Sequence, residues 1–554
     1  MSWSLAERAL ALARAECEGL DVLVIGGGIA GAGVLRDAAS RGLRTLLVER
    51  DDFAAGTSSR SSKLIHGGLR YIGEGHLSVT REACRERDLL IRQNPHLVRT
   101  LPFLFPAFEG GRYPLWQVRA ALWIYEGLAN FRRSARFRML RPEQVMAYSR
   151  DLRRDGLKGA GLYQDAQVDD ARLVLETIRS ARALGAEAAN HAEVVEFERD
   201  EKGALRGARV YDALGQRSHW LRASVIVNAA GAGVERLRGL DRPVRKPELR
   251  PAKGVHLVIP RSRIHAQGAV TFAAPDGRSL FLVPWNEVAL IGTTDTFSEE
   301  IDEPAVLIEE VHYLLTAANE AFPRVSLTTN DLRSVFAGVR PLVASPESET
   351  PPSSVSREHR LYQDPSGLIS TAGGKLTTHR ASAEALVDLV IRRLPRERRF
   401  SIGPSRTAAL PLRSDSFVRS DFESHLRARF GLAPGRAVHL VRTYGAAAEE
   451  LLAVAAPALH GPIGNSRYTW AEIPWLFRTE CPATLCDLLE RRMRVAILAE
   501  GQGLRNLDRI ARLAAEAAGW DAERTRAESL AYADSVRRRY QIVPPPASRR
   551  PAAA

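Results

Sequence analysis

The chain has 554 residues, 45% hydrophobic and 26% charged, and a formal charge of +13. A chain of that length holds about two to four domains with large buried cores, and the composition excludes collagen-like, disordered and fully membrane-embedded classes. No run approaches eighteen uncharged apolar residues, so no spanning helix is expected. The N-terminus lacks the basic start and apolar run of a signal peptide, and the four unpaired-looking cysteines make a reducing cytosol the expected compartment. Cys17, Cys84, Cys481 and Cys486 contain no CxxC pair and fit no zinc spacing, so no metal is expected. The basic balance invites nucleic acid, an anionic membrane or an acidic substrate. Its arginines are scattered without an aromatic-studded basic module, so no nucleic-acid partner is expected.

In chain order, residues 3–19 predict a short amphipathic helix. Residues 21–48 predict strand (DVLVIG), turn, helix (AGAGVLRDAASRG) and strand (RTLLVE). Helices follow at 78–94, at 115–129 (LWQVRAALWIYEGLA) and at 168–184, the last behind the capping acids Asp169 and Asp170. ASVIVNAA (223–230) reads as a buried strand closed by Gly231 and Gly233. From 254 to 296, period-two runs (GVHLVIP, SLFLVPW, VALIGTT) predict an antiparallel sheet suited to a substrate domain. A helix at 376–394 follows Gly373 and Gly374, and 395–417, rich in Arg, Pro and Ser, reads as a linker. Residues 418–541 look nearly all helical, and the tail VPPPASRRPAAA reads as disordered.

Gly26, Gly28 and Gly31 stand in GxGxxG register between a strand and a helix. Such glycines allow a tight turn, close approach of a pyrophosphate and close helix–strand packing, while the helix N-terminus stabilises the diphosphate charge. Glu49 ends the second strand, where its carboxylate can accept from the ribose hydroxyls of an adenosine; the adjacent Arg50 weakens the case against a 2′-phosphate. The first fifty residues leave FAD and NAD open. NAAGAG (228–233) and STAGGKLTT (370–378) favour FAD, because a second helix N-terminus stabilises negative charge on a reduced flavin. Two ordinary glycine turns explain those runs nearly as well.

Seven runs resemble the FAD-dependent, quinone-linked aerobic glycerol-3-phosphate dehydrogenases. They are DVLVIGGGIAGAGVLRDAASRGLRTLLVE, GTSSRSSKLIHGGLRY (56–71), VDDARLVLETI (168–178), KGVHLVIP (253–260), LIGTTDT (290–296), AGVRPLV (337–343) and GGKLTT (373–378). They occur in family order over roughly 18–395, and PATLCDLLERRMRVAI (482–497) resembles the family more weakly. The resemblance implies an α/β fold: an FAD-binding Rossmann-like domain, an inserted antiparallel-sheet substrate domain and an all-helical C-terminal domain. The oxidoreductase part is 1–395, with FAD segments about 18–75, 160–250 and 330–395 and substrate segments about 76–159 and 251–329. A linker (396–417), the helical domain (418–543) and the tail (544–554) follow. The implied reaction is oxidation of sn-glycerol 3-phosphate to dihydroxyacetone phosphate by hydride transfer from C2 to flavin N5. Electrons would pass to a membrane quinone. The family includes dimeric, peripheral membrane enzymes and oxidases that use O₂. The implied setting is therefore the inner face of the cell membrane, against anionic lipid, with a homodimer among the assemblies allowed. A non-enzymatic flavin-stabilised scaffold is the alternative outside enzymes.

Family correspondence points to Arg70, Tyr71, Arg340, Arg357 and Lys375 at the substrate phosphate, with Arg70, Arg340, Lys375 and His256 as the catalytic set. An arginine fork grips phosphate with two hydrogen bonds, although any single arginine of so basic a chain also reads as solvated surface. His256 is the leading base and Lys375 its rival, while His66 either bonds the flavin or packs beneath it. Thr57, Ser58, Ser62, Lys63, His66, Val194 and Thr377 are expected around FAD, with Gly231, Gly338, Gly374, Lys375 and Arg50. Two stretches could meet a membrane: helix 115–129, which runs into Arg132, Arg133, Arg136, Arg138 and Arg141, and the N-terminal helix.

Overall fold

The computed structural model describes residues 3–73, 75–129, 136–243, 248–343, 359–413 and 419–543. Leu20–Ile25 is the centre of an eight-stranded sheet. It runs parallel to Thr45–Val48 on one side and Arg217–Asn228 on the other; Glu187–Ala189 and Ile369–Ala372 extend the parallel set. Alternate side chains of one strand serve two cores, as the pleat requires. Val22 and Val24 pack under the helices Ile29–Ser40, Asp170–Ala183 and His379–Arg393. Leu23 and Ile25 face the hairpin Ala192–Arg199/Leu205–Asp212 and the N-terminal helix Leu5–Glu18. That helix starts on a Ser4 capping box and buries Ala11, Leu12 and Ala15; its Arg8 donates to the Asn190 carbonyl and pairs with Asp212.

The second sheet has ten strands. The period-two runs of 254–296 become Ala252–Pro260, Ala269–Ala273, Ser279–Trp285 and Val288–Gly292, paired antiparallel. Arg99–Phe108 and Leu157–Gln167 add a second antiparallel pair, and the two sets join through one parallel contact, Ala269–Ala273 beside Arg99–Phe108; Leu64–Ile65, Arg138–Leu140 and Thr296–Phe297 are short strands at its margins. Ser334–Arg340, expected with the cofactor segments of 330–395, instead pairs with Ala252–Pro260 over seven residues. Every residue from Ser334 to Val339 is buried there, so its apolar run is explained by this sheet.

Six helices of eight residues or more, from Arg419–Phe430 to Ala522–Arg539, form the C-terminal part. Their core is continuous with Trp285, Val288 and Phe336 of the ten-stranded sheet. The described part of the expected linker is docked: Arg413 pairs with Glu176 at 2.8 Å, and Thr407 and Ser405 bond Asp37. Among the described residues no helix is long and apolar enough to cross a membrane.

Candidate active site

The glycine turn is built as its chemistry requires. A Cβ on Gly31 would stand 1.9 Å from the Gly26 carbonyl oxygen, and one on Gly26 would stand 2.5 Å from that of Ala229. The NAAGAG run therefore packs directly on the turn. Gly28 caps the helix Ile29–Ser40 without a side chain, and Ser58 Oγ accepts from the Ile29 N–H at 2.9 Å. Glu49 accepts from the Gly27 N–H at 2.6 Å and the Asp51 N–H at 2.9 Å, and burial pushes its pKa up. A bare helix N-terminus beside a carboxylate at the second strand's end fits the diphosphate and ribose of FAD.

Several expected cofactor contacts are placed differently. Lys63 is fully buried, and its ammonium donates to both Asp170 carboxylate oxygens at 2.8 Å. Burial lowers its pKa to about 8, with Arg494 adding to the effect. A charge this deep needs its carboxylate, so only the main chain of Lys63 is left for a ligand. The Arg50 guanidinium reaches Asp302 and Asp51. Val194 is buried on the strand whose first residue, Ala192, donates to the Glu49 carbonyl, so it stays near the strand end that carries Glu49. Gly231 opens the turn after Asn228. Arg357 lies outside the described residues.

The other expected residues converge. A cavity of about 350 Å³ is lined by Thr57, Ser62, His66, Arg70, Tyr71, His256, Gly338, Arg340, Gly374, Lys375 and Thr377. The Lys375 ammonium sits 3.7 Å from the Tyr71 ring centre, and the Arg70 guanidinium lies 5.6 Å from the same ring. Arg340 ends its strand with one nitrogen on Asp295 at 2.9 Å and another on the Thr293 hydroxyl at 3.0 Å. Gly254 makes room for it: a Cβ there would stand 2.4 Å from the guanidinium. His256 is 3% exposed, stacked on Phe336, with Nε2 at 2.8 Å from Ser62 Oγ. Ser62, expected at the cofactor, thus holds the histidine. Burial, reinforced by Arg340 and Lys63, lowers the His256 pKa to about 3, so the imidazole is neutral. Thr377 Oγ1 accepts from the His66 N–H at 3.1 Å and donates to its carbonyl at 3.2 Å, tying the two cavity loops together.

One network had no signal in the sequence. Asp165 accepts from the Gly67 N–H (3.1 Å), the Tyr125 hydroxyl (2.6 Å) and Arg87 (2.8 Å), and all of these groups are buried. It fixes the HGG loop that carries His66 and Arg70. Helical spacing around Arg87 was the only available hint, and in a basic chain such a residue reads as surface. Tyr125→Phe removes the bond to Asp165 and also the hydroxyl that accepts from the Gly67 N–H (3.0 Å) and from Arg87 (2.9 Å), while Asp165 keeps both of those donors. We expect a loss of about 1–3 kcal/mol, seen as a lower urea midpoint of the FAD-loaded protein; an unchanged midpoint would count against the network. Asp52, His191 and Asp487 also come together, but Arg491 and Arg492 pair with Asp52, Arg491 with Asp487, and His191 bonds Asp487 at 2.9 Å. These groups lock the C-terminal part to the cofactor domain.

A dinucleotide turn on a parallel sheet, opposed by a second sheet across a cation-lined cavity, defines an FAD-dependent oxidoreductase. The family model described as FAD dependent oxidoreductase matches residues 21–389, and that for the C-terminal domain of alpha-glycerophosphate oxidase matches 405–525. An aerobic glycerol-3-phosphate dehydrogenase of Staphylococcus aureus is 35% identical over 483 residues, 85% of this chain and 86% of the relative. Its Staphylococcus haemolyticus counterpart is 36% identical over 484 residues, 86% of each chain. The FAD complex of glycerol-3-phosphate dehydrogenase from Bacillus halodurans superposes with a TM-score of 0.79 at 31% identity, covering 97% of this chain and 98% of that one. L-alpha-glycerophosphate oxidase from Mycoplasma pneumoniae, with FAD bound, shares the fold at a TM-score of 0.54 and 19% identity, over 67% of this chain and 95% of its own. The chain belongs to the FAD-dependent glycerol-3-phosphate dehydrogenase/oxidase family.

Proposed function

We propose that the protein oxidises sn-glycerol 3-phosphate to dihydroxyacetone phosphate and delivers the electrons to a membrane quinone. The observation that carries this reading is the convergence of Arg70, Arg340 and Lys375 on one cavity wall with the neutral His256. Bound FAD supplies the two-electron acceptor. Arg340 and Lys375 hold the phosphate dianion, Arg340 with a fork already oriented by Asp295 and Thr293. Tyr71, under the Lys375 ammonium, fixes that cation's position. His256 takes the hydroxyl proton at a ring nitrogen. Its basicity rises when the substrate dianion offsets the field of Arg340, so proton acceptance is coupled to binding of the correct substrate.

The decisive test is anaerobic addition of sn-glycerol 3-phosphate to the yellow protein. Bleaching of the flavin is expected; an unchanged spectrum would favour the scaffold alternative. Reoxidation by a soluble quinone much faster than by O₂ is expected of the dehydrogenase, and the reverse of an oxidase.

Because the free-enzyme pKa of His256 lies near 3, its ionisation should be absent from kcat/KM across the neutral range. His256→Asn is therefore expected to lower kcat/KM by one constant factor between about pH 5.5 and about pH 7.5. A factor that changes across a pKa near 6.5 would mean that the free site leaves His256 as basic as an exposed imidazole.

For the membrane contact we favour the helix Leu115–Leu128. Val118, Leu122 and Tyr125 are buried, while Trp116 (68% exposed), Trp123 (60%) and Ile124 (45%) form a second apolar stripe on the outside. Two stripes explain why its sequence lacks a clean period. Gln117, Val118 and Ala121 of the same helix line the cavity, which gives a quinone a short route from the lipid interface. Arg136, Arg138 and Arg141 are exposed nearby in sequence; Arg132 and Arg133 lie outside the described residues. The N-terminal helix is the poorer candidate, since its apolar stripe is buried. Sedimentation with liposomes should show stronger binding to anionic than to neutral lipid, reduced by salt and by Trp116→Ser with Trp123→Ser. Unchanged binding by that double variant would move the contact elsewhere.

A further inference from the structure

A second cleft, sharing no residue with the main cavity, lies where the ten-stranded sheet, the cofactor domain and the C-terminal helices meet. Its walls carry Arg99, Arg172, Arg442, Arg467 and Arg492 against one carboxylate, Asp169. Three of these arginines are neutralised by acids outside the cleft: Arg172 by Glu480 at 2.5 Å, Arg467 by Glu287 at 2.6 Å, and Arg492 by Asp52. Arg99 and Arg442 have no carboxylate within salt-bridge distance among the described residues, and the buried Arg442 Nε has no hydrogen-bond partner there. Glu423, the acid that acts on Arg442, pairs with Arg419 at 3.5 Å. Burial, then Arg442, Arg467 and Arg419, lowers the Arg99 pKa to about 10. Burial and then Arg419 lower that of Arg442. The fold thus holds these guanidinium groups against mutual repulsion that an anion between them would relieve.

The volume sets the ligand's size. The cleft holds about 40 Å³. One water needs roughly 10–15 Å³ on that measure, so the space suits a single tetrahedral oxyanion. We infer that this cleft binds a small phosphate-type oxyanion, inorganic phosphate or the terminal phosphate of a monoester, through Arg99 and Arg442 with Arg467 beside them. Arg99 begins the strand that carries Phe103 and Phe105 into the main cavity, while Arg442 lies on the C-terminal helix Pro434–Tyr444. A bound oxyanion would therefore clamp the C-terminal part onto the substrate sheet.

The test is thermal unfolding of the FAD-loaded protein in inorganic phosphate against chloride of matched ionic strength. Tm is expected to rise with the logarithm of phosphate concentration, as for any ligand that binds only the folded state. Two sites would contribute, so the reading is by variant. The response retained by Arg340→Ala, which disables the main cavity's phosphate grip, should disappear on adding Arg99→Gln and Arg442→Gln. Arg99→Lys with Arg442→Lys should keep most of it. In chloride the double glutamine variant should melt no lower than the parent, because the repulsion is relieved; if it fails to fold, Arg442→Gln alone is read in the same way. Glycerol 3-phosphate in the Arg340→Ala background separates the sources. Protection equal to that by phosphate assigns the cleft to phosphomonoesters, and protection by phosphate alone assigns it to the free oxyanion. A glutamine variant that responds to phosphate as its parent does would overturn the assignment.

Discussion

Arg340→Ala is expected to lower kcat/KM for sn-glycerol 3-phosphate by roughly 30-fold to several-thousand-fold, equivalent to about 2–5 kcal/mol, with FAD still bound. The range follows from removing one partner of a charged pair in a partly desolvated site. Arg340 is mostly buried, and its neighbours are arranged for it: Asp295 and Thr293 hold two of its nitrogens, and Gly254 vacates the volume the guanidinium fills. Alanine also leaves the half-buried Asp295 without this partner, unmasking its negative charge where a dianion must enter. Arg340→Lys separates the two effects. It restores the charge without the bidentate fork, and is expected to recover part of the loss. Stopped-flow flavin reduction shows where the damage falls. The wild-type protein should also prefer glycerol 3-phosphate strongly over glycerol, which leaves the cations uncompensated. Wild-type binding and reduction by Arg340→Ala would remove Arg340 from the phosphate site.

Local signals were legible and distant pairings were not. The alternation of Val22, Leu23, Val24 and Ile25, the glycine turn and Glu49 fall within thirty residues, and their geometry follows from chain connectivity. The strand Arg99–Phe108 has no legible alternation because Pro102 and Pro106 break its pattern; proline suits a strand only where no ladder donor is needed. Ser334–Arg340 reads as a buried strand, but nothing local says which sheet takes it. The charged interior is the largest gap. Lys63 finds Asp170 at a separation of 107 residues, Arg87 finds Asp165 at 78, and Arg491 finds Asp52 at 439. In a chain of net charge +13 each arginine or lysine reads as surface until its acid is located. The expected cavity residues come from separate segments near 57–71, 254–256, 338–342 and 373–377, two of them inside strands. Only family resemblance could assemble them in advance; Ser62 does line the cavity, where its hydroxyl meets His256, whereas the Lys63 ammonium is turned to the buried Asp170.

Gly28→Asp is the sharpest test of the cofactor placement, because fold and binding should part company. Gly28 has φ −80° and ψ −174°, extended backbone that any residue adopts, and it occupies the cap position of Ile29–Ser40. Aspartate is among the best residues for a helix cap, accepting from the first free N–H groups and favoured there by the helix dipole. A new Cβ would stand 3.1 Å from Ser58 Oγ, a hydroxyl on a rotatable side chain that can yield. The apoprotein should therefore fold, with circular dichroism and melting close to the parent's apo form. Its carboxylate then holds the amides and the space that the diphosphate needs. Like charges so placed cost several kcal/mol, so FAD affinity should fall by about 100-fold or more, and the protein should purify colourless. Gly31→Ala provides the contrast. Its Cβ falls 1.9 Å from the Gly26 carbonyl oxygen, so the turn itself must break and both folding and colour should suffer. Full FAD occupancy in Gly28→Asp would mean that the diphosphate does not approach this helix N-terminus, and the cofactor would have to be placed elsewhere on the sheet.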